Sequence, residues 1–231
     1  TWSFPEAYLE EWEIRKKEGK SLPYLGGGSR GPATVITSIL QPETALFWAF
    51  DYPILMARFR DVLAEKMVAF NQILRDFSDN TKQGWSITDD NSALFSPELY
   101  REYCYPILEK LFAALAPDGA RRHQHSDSAM GHLLDQQYEL GIRSVNYGPE
   151  IDAALIRQEM PEAVIHGHMP PFLLRNSNPD EIRQRLIEDF EKAGPTGGLN
   201  ITTAGSLAAG TGVGRMRFFM QVVQTDCRYA Y

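Results

Sequence analysis

From residue 31 onward, short β-branched or apolar runs alternate with longer stretches of helical period, and this alternation constrains the fold more than any other feature of the chain. "ATVITSIL" precedes a helical region from about Pro53 to Asp76, "WSITDD" precedes "SPELYREYCYPILEKLFAAL", and "ARRHQHS" precedes "AMGHLLDQQYEL". "RSVNYG" then leads into "PEIDAALIRQEM", "AVIHGHM" into "NPDEIRQRLIEDFEKAG", and "LNITTAG" into a segment from about Gly214 to Gln224. Ser96-Pro97-Glu98, Gly148-Pro149-Glu150 and Asn178-Pro179-Asp180 each place Pro at a first helical position beside an acid, and Gly119, Gly141 and Gly194 fall where helices should end. Serial strand-helix units imply a parallel sheet with helices outside it. A closed eight-unit barrel usually takes about 250 residues. Six units in 231 residues therefore predict an α/β chain of the (β/α)8 TIM-barrel type that lacks its first two strand-helix units. Residues 1–30 read as a remnant helix and a Gly-rich loop, "LGGGSRG", and residues 31–231 as one barrel domain.

Composition excludes several partners. The chain is 43% hydrophobic and 23% charged, as an ordinary globular protein is, and 23 basic residues against 30 acidic ones give a net charge of −7 with no basic run. A nucleic-acid backbone is thus not an expected partner. No apolar stretch approaches the roughly 20 residues a membrane span needs, and "TWSFPEAYLEEWEIRKKEGK" has no apolar signal-peptide core, so a cytoplasmic location with no membrane partner is the expectation. Cys104 and Cys227 are too few for a disulfide framework and have no C-x-x-C spacing, which fits a reducing compartment.

Ligands of parallel α/β folds bind beyond the carboxyl ends of the strands. Asp89, Asp90 and Asn91 end the second strand of the series, His123, His125 and Asp127 the third, Asn146 and Tyr147 the fourth, His166 and His168 the fifth, and Thr202 and Thr203 the sixth. Four of the five histidines form two H-x-H pairs, and alternation puts each pair, with Asp127, on one strand face. Imidazole and carboxylate suit zinc and similar divalent ions, so if that face points into the barrel His123, His125, Asp127, His166 and His168 converge there as metal-ligand candidates or as polar substrate contacts. Asp89 or Asp90 is placed to act as general acid or base, since a carboxylate near a like charge holds its proton at higher pH, although "TDDNSALFSPE" also reads as a turn with capping carboxylates. His168 would assist, and Asn91, Asn146 and Tyr147 would bind substrate. In "TAGSLAAGTGVGRM", Gly210, Gly212 and Gly214 miss the dinucleotide and P-loop spacings, leaving either an amide-rich anion loop, with Gly210 and Gly212 as substrate contacts, or a flexible crossing.

These residues carry a resemblance. The run from "GPATVITSIL" through "ITDDNSALFSPELYREYCYPILEKLF", "HQHSD" and "IHGHMPPFLL" to the final Gly-rich loop, about residues 31–225, resembles the uroporphyrinogen decarboxylase superfamily, which includes the decarboxylase of haem biosynthesis and the cobalamin-dependent methyltransferases. The resemblance implies a (β/α)8 barrel. In the methyltransferase branch an H-x-C pair and a Cys after the last strand hold zinc. Here His125 matches the His, Asp127 stands at the first Cys and Gly205 or a neighbour at the second, so a His/Asp site completed by His168 is the nearest substitute for a thiolate-rich one. In the decarboxylase branch, which needs no cofactor, "GNLDP" is answered by "GHMPP", with Gly167 and Pro171 matching, whereas "FNLGHGI" finds no counterpart.

The expected activity is therefore corrinoid-linked methyl transfer to or from a small molecule at the barrel mouth, assisted by zinc or another divalent ion, with a corrinoid protein and a second copy of the chain (a homodimer) as partners. The alternative is a lyase acting on a polycarboxylate tetrapyrrole, for which Arg121, Arg122, Arg143 and Arg215 are the candidate anchors. Metal-dependent amide hydrolysis also uses H-x-H at a barrel strand, but "LNITTAG" offers no carboxylate for it. An inactive or binding fragment is the non-enzymatic reading.

Overall fold

A computed structural model describes residues 4–20, 25, 27–78 and 84–229. In chain order the elements are α1 (Glu6–Lys17), β1 (Gly28–Arg30), α2 (Pro32–Leu40), α3 (Pro42–Asp51), α4 (Pro53–Phe77), β2 (Trp85–Thr88), α5 (Pro97–Tyr103), α6 (Tyr105–Leu115), β3 (Arg122–Ser126), α7 (Leu134–Glu139), β4 (Ser144–Tyr147), α8 (Ala153–Glu159), β5 (Val164–Met169), α9 (Pro171–Asn176), α10 (Pro179–Ala193), β6 (Leu199–Thr203) and α11 (Val213–Thr225). The described strands form one parallel six-stranded sheet in the order β1-β2-β3-β4-β5-β6, with β1 and β6 at its edges. Among the described residues no helix is long and apolar enough to cross a membrane.

The two faces of the sheet differ in chemistry. Trp85, Ile87, Val145, Tyr147 and Ile165 are buried against helices, packing with Ile107, Leu108, Leu111, Leu134 and Ile156. A second core of Met169, Leu174, Ile182, Leu186, Phe219 and Val222 lies where α9, α10 and α11 cover the end of the sheet. The alternate residues Ser86, Thr88, His123, His125, Ser144, Asn146 and His166 occupy the opposite, polar face. Helix sequences follow the same division: in α10, Ile182, Leu186, Asp189 and Ala193 form the buried stripe, and Asn178 with Glu181 closes a capping box at its start.

Several boundaries differ from those the sequence implies. "ATVITSIL" is helix α2 rather than the first strand. Pro32 occupies its first turn, and Ala33, Ile36 and Thr37 are buried at helical spacing despite the β-branched composition. The first strand is instead Gly28–Arg30, inside the segment read as a loop, where a Cβ on Gly28 would meet the Ser86 carbonyl oxygen at 2.6 Å. The helical run after β2 breaks at Cys104 because Pro106 has no amide proton for the preceding turn. α8 starts not at Pro149 but at Ala153, where the Asp152 carboxylate accepts the Ala154 N–H at 2.7 Å.

One long-range contact sets the start of α2. Its N-cap residue, Gly31, has no side chain, and the cap comes from β2's loop instead: Asp89 Oδ1 accepts the Thr34 N–H at 2.7 Å and Oδ2 the Ala33 N–H at 3.3 Å. A Cβ on Gly31 would sit 2.3 Å from Asp89 Cγ, so only glycine admits the carboxylate. Asn91 extends the tie, its Nδ2 donating to Thr37 Oγ1 at 2.8 Å.

Burial raises the Asp89 pKa from 3.8 to about 6, against the lowering effect of the Thr34 and Ala33 donors. The folded state therefore holds this proton more tightly than the unfolded chain, and the associated stability, on the order of 3 kcal/mol, is present below about pH 4 and lost as pH rises through about 6. Urea melts of wild type and Asp89→Asn should differ in slope across that window, wild type losing its relative advantage toward neutrality; parallel profiles would contradict the assignment. Gly31→Ala should cost about 1–3 kcal/mol at any pH by overpacking.

Candidate functional site

Thr88, His125 and Asn146 are register partners on β2, β3 and β4, near the carboxyl ends of the strands on the polar face. The Asn146 amide is oriented by its partners: Nδ2 donates to the carbonyls of His166 and, at 3.3 Å, Thr203, while Oδ1 accepts the Gly205 N–H at 3.2 Å. Oδ1 also faces His125 Nδ1 at 2.8 Å. Because Oδ1 only accepts, the imidazole carries its proton on Nδ1, and the lone pair of Nε2 points the other way.

On that side stands the Asp127 carboxylate, with Asp90 in the same cluster. His125 Nε2 lies 3.6 Å from Asp127 Oδ1, and one ligand atom from each of Asp90, His125 and Asp127 lies within 4.8 Å of the others. Asp90 Oδ1 accepts the Asp127 N–H at 3.0 Å, which fixes the two loops together, and its Oδ2 faces Arg30 Nη1 at 3.5 Å. Gly205, at φ +85°, closes the approach from the loop after β6, where a Cβ would stand 2.8 Å from Asp127 Oδ1. One imidazole and two carboxylates form a donor set suited to zinc or another borderline divalent ion, with a second-sphere amide on the far imidazole nitrogen as metal-bound histidines usually have. The side chains of Asp90 and Asp127 are 38% and 59% exposed, so coordination positions would remain for a substrate.

The other expected site residues divide between this cluster and elsewhere. His123 and His166 lie on the same polar face nearer the amino ends of the strands, their rings edge to face at 5.8 Å and both hydrogen-bonded to Ser144 Oγ. Burial, helped by the charge of Arg121, depresses the His123 pKa to about 4 and lowers that of His166. His168 does not join them. It is fully buried against α10, with Nε2 3.1 Å from the Gly148 carbonyl oxygen and Nδ1 3.3 Å from Arg185 Nη2, beside the Arg185–Asp189 ion pair. Arg185 can only donate, so the ring is neutral, and burial holds its pKa low. His168 thus departs from the simple alternation that would put it beside His166, its partners being the Gly148 carbonyl and Arg185 of α10. Asp89 is at the mouth but buried, its carboxylate capping α2, and Asn91 is bonded to Thr37. Tyr147 is buried on the helix-covered face, where burial raises its pKa far above the usual phenol value. Gly210 and Gly212 lead into α11 with nothing within 4 Å of an added Cβ.

Of the arginines a polycarboxylate would need, Arg122 is spent on the carbonyls of Ala116 and Leu140, Arg143 on that of Tyr138, and Arg215 on those of Leu174 and Ser177. Sequence reasoning did not single out Ser144, Asn200 or Arg30. The first two were reachable by extending the alternation of β4 and β6 down to their starts, whereas Arg30 lies on a strand hidden among glycines.

No curated protein matches the chain. Among solved structures, a methyltransferase from Methanosarcina mazei superposes with a TM-score of 0.66 at 18% identity, covering 92% of this chain and 61% of that one. At that identity the likeness is one of fold, and this chain spans about three fifths of the length of that protein. A model of the uroporphyrinogen decarboxylase (URO-D) family matches residues 8–225. With its six parallel strands and alternating helices, the chain belongs to the uroporphyrinogen decarboxylase family.

Proposed function

We propose that this chain is an enzyme of the methyltransferase type within its family, moving a methyl group between a corrinoid and a small molecule at the carboxyl end of the sheet with the help of a divalent metal ion. The observation that carries the reading is the cluster of Asp90, His125 and Asp127, with the free lone pair of His125 Nε2 directed into it by Asn146. The fold shared with a methyltransferase agrees with it.

In this reading His125, Asp127 and Asp90 hold the ion. When bound, the ion supplies Lewis-acid activation, which favours the deprotonated form of a thiol or similar methyl acceptor at neutral pH. Asn146 keeps His125 in the ligating tautomer, and the Asp90 carboxylate, by accepting the Asp127 amide, holds the β3 end in place. Gly205 or a neighbour stands where the methyltransferases that the sequence resembles carry a Cys, and at Gly205 a side chain would crowd Asp127 Oδ1. A thiolate-poor donor set would bind zinc less tightly than a thiolate-rich one and would admit other divalent ions.

Purified protein should contain near-stoichiometric zinc or another divalent ion by elemental analysis, and the His125→Ala, Asp127→Ala double variant should lose it while keeping its circular dichroism. Equal metal content in both would remove the cluster from the mechanism. Asn146→Ala should weaken zinc binding about 10–100-fold in a chelator competition, as loss of an outer-sphere partner does; unchanged affinity would mean that the amide does not orient the ligand. Methylcobalamin incubated with a panel of thiol acceptors should be demethylated by wild type and not by the double variant, and no turnover with any methyl donor or acceptor would count against methyl transfer itself.

A further inference from the structure

The polar face of the sheet continues away from the metal-type cluster toward the amino ends of β3, β4 and β5, and its chemistry changes there from acidic to basic. A cleft of about 600 Å³ opens at this end, lined among others by Arg121, Arg122, Arg143, Ser144 and His166. Two of the three guanidinium groups have carboxylates: Arg122 pairs with Asp118 at 3.1 Å and Arg143 with Glu162 at 3.3 Å. Arg121 has no carboxylate within 4 Å among the described residues; its one side-chain contact is Nη2 to Ser144 Oγ at 3.3 Å.

Ser144 is the hub of a built network rather than a surface hydroxyl. It is 6% exposed, and its Oγ lies 2.9 Å from His123 Nδ1 and 3.2 Å from His166 Nε2. Asn200 Nδ2 sits 3.0 Å from His166 Nδ1. The amide donates to that nitrogen, so His166 carries its proton on Nε2 and donates to Ser144 Oγ, as does Arg121. The hydroxyl proton is then left for His123 Nδ1, which puts the proton of that ring on Nε2. The result is an exposed guanidinium tied through Nη2 to Ser144 with its other donors unused, in a concave site where Arg122 and Arg143 pair with the nearby carboxylates.

We propose that this end of the polar face binds a small oxyanion the size of inorganic phosphate, with Arg121 as its principal ligand and the Ser144 network holding the guanidinium in place. A fork of parallel donors matches a phosphate or carboxylate group, the chemistry shared by phosphorylated and carboxylated small molecules. The site is separate from the Asp90–His125–Asp127 cluster and does not depend on that cluster binding metal.

The test is thermal melting of the full chain in increasing inorganic phosphate, with sodium chloride at matched ionic strength as control. Wild type should show a saturable rise in Tm that the chloride series lacks. Arg121→Met should require at least about tenfold more phosphate for the same rise. The His125→Ala, Asp127→Ala variant should respond like wild type, which separates this site from the metal reading. Acetate reproducing the rise with the same Arg121 dependence would assign the site to carboxylates as well. No rise in wild type, a rise that chloride reproduces, or one that persists in Arg121→Met would overturn the proposal.

Discussion

A parallel strand alternates its side chains between two faces, and in this sheet the register of six strands assigns apolar residues to one face and hydrogen-bonding residues to the other. Trp85, Ile87, Val145 and Ile165 turn toward the helices, and each buried side chain of this size contributes about 1.5–3 kcal/mol on transfer from water. Shifting a strand by one residue would bury His125 and Asn146 under the helices and expose those core residues, so the register is strongly specified. The candidate site follows from it: Thr88, His125 and Asn146 fall side by side because hydrophobic burial has fixed the strands on which they stand.

On that scaffold, amide and carboxylate geometry does the finer work. The Asn146 carboxamide is held at both ends by backbone groups of β5, β6 and the loop that follows, so its acceptor oxygen faces His125 and sets the imidazole tautomer. At the same mouth, two adjacent acids have unlike duties. Asp89 is buried and caps α2 across the gap that Gly31 leaves, whereas Asp90 stays in solvent and contributes to the cluster with His125 and Asp127. One backbone step separates a structural carboxylate from one available for chemistry, because successive residues beyond β2 point to different sides.

How much of this was legible in the sequence depends on whether local rules or distant partners decide. The five later strands, most of the helices and the pairing of His125 with Asp127 follow from alternation and spacing within single segments. Asp90 was readable as a mouth residue for the same reason. The strand character of "ATVITSIL" was misleading because β-branched composition is a weak preference that Pro32 and the packing of Ile36 override, and the true first strand is a three-residue piece among glycines with almost no apolar signal. The burial of Asp89 could not be inferred locally, since the helix it caps begins 58 residues earlier at Gly31. His168 is the same kind of case: Arg185 and Asp189, one turn apart on α10, draw the ring into the interlayer space, and nothing in "VIHGHM" announces them.

The central claim is that Asn146 holds His125 as the Nδ1–H tautomer so that Nε2 is free to ligate. Long-range ¹H–¹⁵N correlation NMR on ¹⁵N-histidine-labelled protein reads this directly, with His125→Gln assigning the resonance. In metal-free protein Nδ1 should carry the proton and Nε2 none, and the Nε2 signal alone should move strongly on addition of zinc. An Nε2–H tautomer that zinc leaves unchanged would contradict it.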